Sequence, residues 1–584
     1  MSSLGAVFDI AKSALAMQRY GLDVTAHNIA NVNTPGYSRQ SPVLTAKQAE
    51  SKGGLIFGRG VDITQVIRAS DQFIEDQLMQ QKSSMLSSKE MENYMQVLEG
   101  VFNENPETSI SAMLSDFWNL WHDISNNPSG VSERTALYEH GILLAERFNA
   151  LDGDLASLET DLTNSLSTGI DEVNRISNEI AQLNDQIPGL EAGGNIVNDL
   201  RDKRNIMVSE LSEYLDVNSF EQDNGTLTVV TARGCILVHG DSSYDLEMGG
   251  VNGDRVKWQA SGGTTVDITN YISNGKLGGW LDMRDEVVAK YKLDISAVAE
   301  EFIWAVNSQH SQGVGLEAFS TVTGAYQASD TNVSIDSSGL SYADEIVDGD
   351  FKLWLYDSNG TLDSSTTITV DADVTTIDAI VTAVNAIGGG ANISATTTTD
   401  GKLQITSSNG FTFAFSDDTS NVLASLGVNT FFKGASASGI DVTDTIGSDK
   451  NLIAAARIAA DGSYASGDNT NALAIADLQY TSMDIPQWTC DRINGDTESS
   501  LTATIENYYH SMVGSVGITS AGIARGRVIN EDMVKRMTDI RDSISAVSLD
   551  EEMTNLIKFQ QAYAAASRLI SVADEMLDTL LSVK

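Results

Sequence analysis

The chain has 584 residues, of which 41% are apolar, so it is long enough for about three to five domains with buried cores. Its 80 acidic and 36 basic side chains give a net charge of −44, which disfavours binding to nucleic acid or to anionic membranes. No apolar run is long enough to span a membrane. The first residues lack the cationic start and apolar run of a cleaved signal peptide, so none is predicted.

Residues 3–30 are predicted to form an amphipathic helix, because apolar side chains recur at spacings of three, four and seven. Small residues fill much of the remaining surface and would allow another helix to approach closely. The seam residues are Leu4, Phe8, Leu15, Leu22 and Ile29.

A turn is predicted directly after this helix. Pro35 presets φ for the second position of a type II turn, and Gly36 supplies the positive φ that the third position needs. The turn residues are Asn33, Thr34, Pro35, Gly36 and Tyr37.

The middle of the chain alternates between helical and strand-like patterns. Strands are predicted at 42–45 and 61–68, helices from 72 to about 186 with breaks at 105–106 and 126–130, a turn from 188 to 194, short strands across 217–268, and a helix at 282–312. Residues 321–468 are rich in Thr, Ser, Asp and Gly, which predicts an acidic β insertion.

From Thr470 to Lys584 the pattern is helical. Ser548 and Glu551 form a candidate capping box for the last helix, and apolar residues then alternate three and four apart, as in a coiled-coil seam. The seam residues singled out are Leu556, Phe559, Tyr563, Ile570, Leu577 and Leu580. On periodicity alone, each terminal helix could equally pack on its own globular core.

No catalytic, cofactor or metal site is predicted. The six histidines show no metal-binding spacing, and neither a phosphate-binding loop nor a nucleophile elbow is present. Cys235 and Cys490 are interpreted as structural thiols.

Two terminal stretches resemble the signatures of the flagellar rod, hook and hook-associated proteins. One is Ala-Asn-Val-Asn-Thr-Pro-Gly-Tyr-Ser-Arg at 30–39, and the other runs from Ser548 through Phe-Gln-Gln-Ala-Tyr at 559–563 to Leu577. Two internal stretches, 198–204 and 275–285, are similar to the hook-associated members rather than to hook or rod proteins. Residues 376–407 look like a small repeat inserted in some flagellins and filament caps.

The resemblance implies an α+β multidomain fold, with the terminal helices paired as a coiled coil, an elongated helical domain, and β-rich inserted outer domains. The expected domains are 1–40 with 547–584 for the terminal helices, 41–213 with 282–320 and 469–546 for the helical domain, 214–281 for a small β domain, and 321–468 for the outer insertion.

The function that the resemblance implies is structural: joining hook to filament by self-assembly through the terminal helices, with no enzymatic activity. Expected partners are copies of the chain, the hook protein, a second junction protein toward the filament, and an export chaperone on the C-terminal helix, but neither nucleic acid nor membrane. The expected location is extracellular, after export without a cleaved signal. The alternatives are a hook or distal-rod protein, and a secreted adhesin or carbohydrate-binding protein acting through the β insertion.

Overall fold

The computed structural model describes residues 2–52, 55–103, 109–193, 196–251, 253–260 and 262–582. The predicted break at 105–106 and the end of the predicted 188–194 turn lie outside these residues, as do the side chains of the seam residues Leu4 and Leu580.

Helices dominate both ends of the chain. The α-helices are α1 (Ser2–Ala30), α2 (Gln72–Phe102), α3 (Ile110–Asn126), α4 (Val131–Glu191), α5 (Asn198–Leu211), α6 (Gly275–Asp282), α7 (Ala289–His310), α8 (Ile377–Asn385), α9 (Val422–Ser425), α10 (Asp444–Ser448), α11 (Thr470–Ala476), α12 (Ile505–Ser545) and α13 (Leu549–Ser582). A π-helical segment, Met283–Val288, lies between α6 and α7.

The strands are short. They are β1 (Gln40–Ala46), β2 (Glu50–Lys52), β3 (Leu55–Phe57), β4 (Val61–Arg68), β5 (Val217–Glu221), β6 (Leu227–Thr231), β7 (Ile236–His239), β8 (Ser242–Ser243), β9 (Leu246–Gly249), β10 (Arg255–Gln259), β11 (Thr265–Asp267), β12 (Thr321–Thr323), β13 (Gly349–Tyr356), β14 (Leu362–Val370), β15 (Ile393–Thr397), β16 (Leu403–Ser407), β17 (Thr412–Ser416), β18 (Phe432–Lys433), β19 (Asp441–Val442), β20 (Met483–Thr489) and β21 (Thr497–Ala503).

The chain divides into two compact units. The first contains 1–93, 162–282 and 522–584, and the second contains 94–161 and 283–521. Each unit is therefore built from segments that are far apart in sequence.

The core of the first unit lies between helices and a small β layer. The strand orders are β5-β6-β7-β8 and β11-β10-β9, all antiparallel, and β1 pairs with β4. Apolar side chains at three- and four-residue spacing on α4 pack into this core, as expected for the inward stripe of an amphipathic helix. The core includes Leu166, Ile170, Val173, Ile176, Ile180, Val229, Leu237, Val238, Leu277 and Leu281.

The core of the second unit is aromatic. Phe117 of α3 lies 5.3 Å from Phe302 of α7 and 5.8 Å from Phe431, measured between ring centroids. Asn307 of α7 accepts hydrogen bonds from the amides of Phe431 (3.0 Å) and Phe432 (2.9 Å), which aligns the chain before β18 with the helix. The insertion contributes the sheets β14-β13-β17 and β12-β16-β15, with α8 packed on β15.

The prediction of a mixed helical and strand fold with a long C-terminal helix is confirmed, but several boundaries were wrong. The hairpin of β20 and β21, whose strands are joined by a turn at Asp491–Gly495, interrupts the region predicted to be helical after Thr470. Helix α4 continues through Pro188 to Glu191 rather than turning there. The helix predicted at 282–312 is preceded by α6, whose residues were assigned to the small β domain at 214–281.

His310 predicts a pH dependence of stability for the second unit. Its Nδ1–H donates to the carbonyl of Asn429 (2.8 Å), and Nε2 accepts from the amide of Ala454 (3.0 Å). Burial lowers the pKa of His310 to about 4, whereas an unfolded histidine titrates near about 6.5. The unfolded chain then binds the proton more readily, so the free energy of unfolding should fall by up to about 3 kcal/mol between pH ~6.5 and ~4.

Urea unfolding followed by tryptophan fluorescence at several pH values checks this. Burial, helped by Glu345 and Glu300, raises the pKa of Glu301 to about 7, which gives a dependence of opposite sign. The comparison is therefore made between variants: His310→Gln should lose the acid destabilisation, and the exposed control His510→Gln should keep it. Equal pH profiles for the two variants would contradict the assignment.

Candidate functional site

The two terminal helices pack against each other in the first unit. The side-chain amide of Asn28 on α1 donates to Oε2 of Glu552 on α13 (3.2 Å). Seven residues earlier on α1, a Cβ added to Gly21 would lie 2.7 Å from Cε1 of Phe559, which is seven residues later on α13. Because the numbering falls along one helix as it rises along the other, the helices are antiparallel.

The buried face of α1 is made of small and polar residues. The large seam residues Phe8, Leu15, Leu22 and Ile29 are only half-buried. The positions that are buried are Ala11, Ser13, Gly21, Thr25 and Asn28. Close packing explains the difference, since a glycine lets the ring of Phe559 sit directly on the backbone of α1.

The seam predicted on α13 is divided in the same way. Leu556, Phe559 and Ile570 are half-buried. Tyr563 and Leu577 are exposed, and the buried positions between them are the alanines Ala566 and Ala573. The pairing thus uses small contacts, and large apolar side chains remain partly open to solvent.

The predicted turn after α1 is present. Gly36 has a φ of +72°, and the amide of Tyr37 donates to the carbonyl of Thr34 (3.2 Å), as a type II turn requires. Asn33, Thr34, Pro35 and Gly36 are exposed, whereas Tyr37 turns back toward α1. The turn therefore returns the chain to the helix that it has just left.

A set of polar side chains meets where the turn, β1 and both terminal helices converge. We call it the terminal polar cluster; it consists of Asn28, Tyr37, Gln40, Asp199, Asp202 and Glu552. Oδ1 of Asn28 accepts from the Tyr37 hydroxyl (2.7 Å) and the Gln40 amide (3.0 Å), and its Nδ2 also donates to the Gln40 carbonyl (2.9 Å). Burial and the carboxylates of Asp199, Asp202 and Glu552 raise the pKa of Tyr37, so its hydroxyl remains a donor.

One face of α5 holds this cluster. The carboxylate of Asp202 accepts from the amide of Ser38 (3.1 Å) and from Arg68 Nη1 (2.9 Å). One turn earlier, the side chain of Asn198 donates to the carbonyl of Val66 (2.9 Å). These i and i+4 positions of one helix therefore bind the end of the β1–β4 pair where β1 begins and β4 ends.

A neighbouring face of α5 contacts the end of α4 and the β layer. Arg201 makes two hydrogen bonds to Glu191 (2.9 and 2.8 Å) and an ion pair with Glu221 (2.8 Å). Arg204 is fully buried and donates to Asn184 (3.0 Å), and burial lowers its pKa to about 10, so it stays charged at neutral pH. The stretch 198–204, which resembles hook-associated sequences, thus forms a helix that contacts the turn and the β1–β4 pair on one face and α4 and the β layer on another.

The start of α13 departs from the predicted capping box. The amide of Glu551 lies 3.5 Å from the hydroxyl of Ser548, at the limit of a hydrogen bond. The carboxylate of Glu551 pairs instead with Arg39 (2.6 Å), and the amide of Arg39 donates to the carbonyl of Ser545 (2.9 Å). The signature at 548–552 therefore binds the segment after the turn.

A cavity of about 500 Å³ lies beside the turn and is lined by polar groups of α2, α5 and the end of α12, including Lys82, Asn205 and Arg541. Within the described ranges, no group of three or more His, Cys, Asp or Glu is placed to hold a metal ion. No described helix is both long and apolar enough to cross a membrane.

Sequence reasoning missed Asn28, Gln40 and the roles of Asp199, Asp202 and Glu552. The signal for Asn28 was available, because it is a polar residue on the same helical line as Gly21, and a single polar residue in a helical seam often sets pairing. Asp199 and Asp202 lie in the stretch 198–204 and Glu552 lies in the C-terminal stretch, but nothing local indicated that these stretches meet.

Replacement of Gly36 by alanine should loosen the turn. The new side chain would require positive φ, at about 1–2 kcal/mol, and its Cβ would lie 2.5 Å from Cγ1 of Ile206. Hydrogen exchange of the full chain should show faster exchange at Tyr37–Gln40. Gly234→Ala is the matched control, since Gly234 has φ +89° but no neighbouring atom within 4 Å. Unchanged protection at Tyr37–Gln40 in Gly36→Ala would show that the turn does not depend on this fit.

Asp202→Asn should destabilise the first unit by about 3–5 kcal/mol, because it leaves the largely buried Arg68 guanidinium without its counter-charge. The control is Glu172→Gln, which removes an exposed pair with Arg175 on α4 and should change stability by less than about 1 kcal/mol. Urea unfolding measures both, and equal losses would rule out a special role for the buried pair.

Models of flagellar families match four parts of the chain. The model described as "Flagellar hook-associated protein FlgK helical domain" covers 95–324. "Flagella basal body rod protein" covers 8–37, and "Flagellar basal body rod FlgEFG protein C-terminal" covers 542–583. "Flagellin hook IN motif" covers 350–409, which includes the whole of the stretch 376–407 that resembles a flagellin repeat.

Relatives match from end to end. Flagellar hook-associated protein 1 of Bacillus subtilis (strain 168) is 28% identical, over 100% of this chain and 99% of its own length. The proteins of that name from Salmonella typhimurium (strain LT2) and Escherichia coli (strain K12) are each 26% identical over 100% of both chains. A solved structure, the flagellar hook junction protein FlgK from Burkholderia pseudomallei, shares the fold with a TM-score of 0.52 at 16% identity, over 80% of this chain and 100% of that one. Along its whole length, the chain is therefore similar to proteins named flagellar hook-associated protein 1.

Proposed function

We propose that this chain is a structural component of the bacterial flagellum that joins hook to filament. The observation that carries the proposal is the end-to-end match to hook-associated proteins, together with the antiparallel pairing of the two helices that carry the flagellar signatures. The match of 95–324 to a hook-associated helical domain favours the junction over a hook or distal-rod protein. The role is mechanical rather than enzymatic.

The terminal helices supply the assembly surface in this proposal. Their pairing leaves large apolar residues open to solvent, and such surfaces mark sites of protein association. The exposed residues are Val7, Ile10, Leu549, Met553, Ile557, Leu569, Val572 and Met576. Copies of the chain would cover these side chains by forming a tube of paired helices, with segments 1–40 and 547–584 as a coiled coil.

The remaining segments have distinct roles in this proposal. Segments 41–213, 282–320 and 469–546 form an elongated helical domain, and 214–281 forms a small β domain. Residues 321–468 form an inserted outer domain, supported by their acidic composition and by the match of 350–409 to a flagellin motif.

A position along the flagellar axis implies the partners of this chain. The hook protein would lie on one side and a second junction protein on the other. An export chaperone would hold α13, whose exposed apolar residues suit capture in a groove. Export would occur through the flagellar apparatus without a cleaved signal, and the mature protein would be extracellular.

Complementation tests the function. In a flagellated host lacking its own hook-associated protein 1, cells should carry hooks without filaments, and this chain should restore filaments and swimming. A chain lacking 549–584 should not. Restoration by that truncated chain would contradict assembly through the terminal helices.

A single substitution tests the pairing of the terminal helices directly. Gly21→Leu should prevent pairing, because the side chain would overlap the ring of Phe559. Gly5→Leu is the matched control on the same helix, since no atom lies within 4 Å of a Cβ at that position. Electron microscopy should show filaments with the control and bare hooks with Gly21→Leu.

A further inference from the structure

The apolar pattern of the terminal helices does not by itself define how they align. On α13 the half-buried and buried positions repeat every seven residues, as in Phe559, Ala566 and Ala573. A slide of one heptad would therefore present a nearly equivalent stripe to α1. Some other interaction must select the observed register.

Asn28 has the geometry to do this. A side-chain amide can make four hydrogen bonds, and Asn28, which is only 1% exposed, makes all four. Three of them go to Tyr37 and Gln40, within its own end of the chain. The turn therefore orients the amide independently of α13, and one N–H remains to bond to that helix.

That N–H meets Glu552, whose side chain is also buried at 3% exposure. The nearby guanidinium of Arg39 is engaged by Glu551. In a heptad slide, Phe559, which has no acceptor, would replace Glu552 beside Asn28. The slide would leave a buried N–H and a buried carboxylate unpaired, and unpaired buried polar groups are costly.

A steric element acts in the same sense one heptad away. In the observed register, the ring of Phe559 fills the space above Gly21. The slide that brings Phe559 to Asn28 would bring Ala566 to Gly21 and leave that space unfilled.

We propose that Asn28 is the positioning residue that sets the register of the α1–α13 pair. The turn holds its amide in place through Tyr37 and Gln40, and Glu552 accepts the hydrogen bond that fixes α13 against it. This inference rests on the proposed assembly through paired terminal helices and names the residue that makes the pairing specific.

Disulfide reporters can measure the register. In the full chain with Cys235→Ser and Cys490→Ala, the pair Ala14→Cys with Ala566→Cys reports the observed register, because these positions lie one heptad beyond Gly21 and Phe559. The pair Ala14→Cys with Ala573→Cys reports the slide. Cross-linked fractions are compared in flagella isolated from the complemented host and in the purified chain.

With Asn28 present, the first reporter should form at least about tenfold more cross-link than the second. Asn28→Leu should reduce that ratio about tenfold, because only the fit of Phe559 above Gly21 would then favour the observed register. Asn28→Asp should do the same by placing two carboxylates together. Adding Glu552→Gln to Asn28→Asp should recover part of the ratio. The exchange restores the hydrogen bond between the two helices, but not the one that Asn28 donates to the Gln40 carbonyl; mere packing would not be rescued in this way.

Three outcomes would overturn the proposal: an unchanged ratio in Asn28→Leu, failure of Glu552→Gln to rescue Asn28→Asp, or no cross-link at 14–566 when Asn28 is present. Each of these outcomes is also measured in the purified chain, where it does not depend on whether the chain restores filaments. Failure of the unaltered chain to restore filaments would instead count against the junction function, so the two failures can be told apart.

Discussion

A buried amide joins the two ends of this chain. Asn28 and Glu552 are 524 positions apart, yet each is buried against the other. Since an unpaired polar group is costly inside a protein, the contact constrains both helices and the turn that orients the amide. This constraint is satisfied by the antiparallel pairing, by the path of β1 and by the position of α5.

Helix α5 extends the constraint into the body of the first unit. Asp202 faces the turn and the β1–β4 pair, whereas Arg201 and Arg204 face α4 and the β layer. A displacement of the terminal polar cluster would therefore have to break ion pairs on one face of α5 or move the whole helix. The stretch 198–204 therefore connects the turn and the β1–β4 pair to α4 and the β layer.

The pairing of the terminal helices combines specific polar contacts with a thin apolar seam. Alanine and glycine bury little area, so the stabilisation from apolar burial is small for helices of this length. Larger apolar side chains remain exposed around the pair. A pair with a defined register and uncovered apolar surface suits a subunit whose termini gain most of their stability from neighbouring copies.

The sequence alone determined the elements whose causes are local. Periodicity predicted both terminal helices, Pro35 and Gly36 predicted the turn, and the wording of the stretches indicated a flagellar axial protein. Tertiary structure decided which side of α1 is buried, because Gly21 and Asn28 face α13 where Phe8, Leu15 and Leu22 were expected. It also decided that Glu552 and Asp199 belong to one cluster. Contacts between residues so far apart leave no local periodic signal, since they depend on how separately formed elements pack.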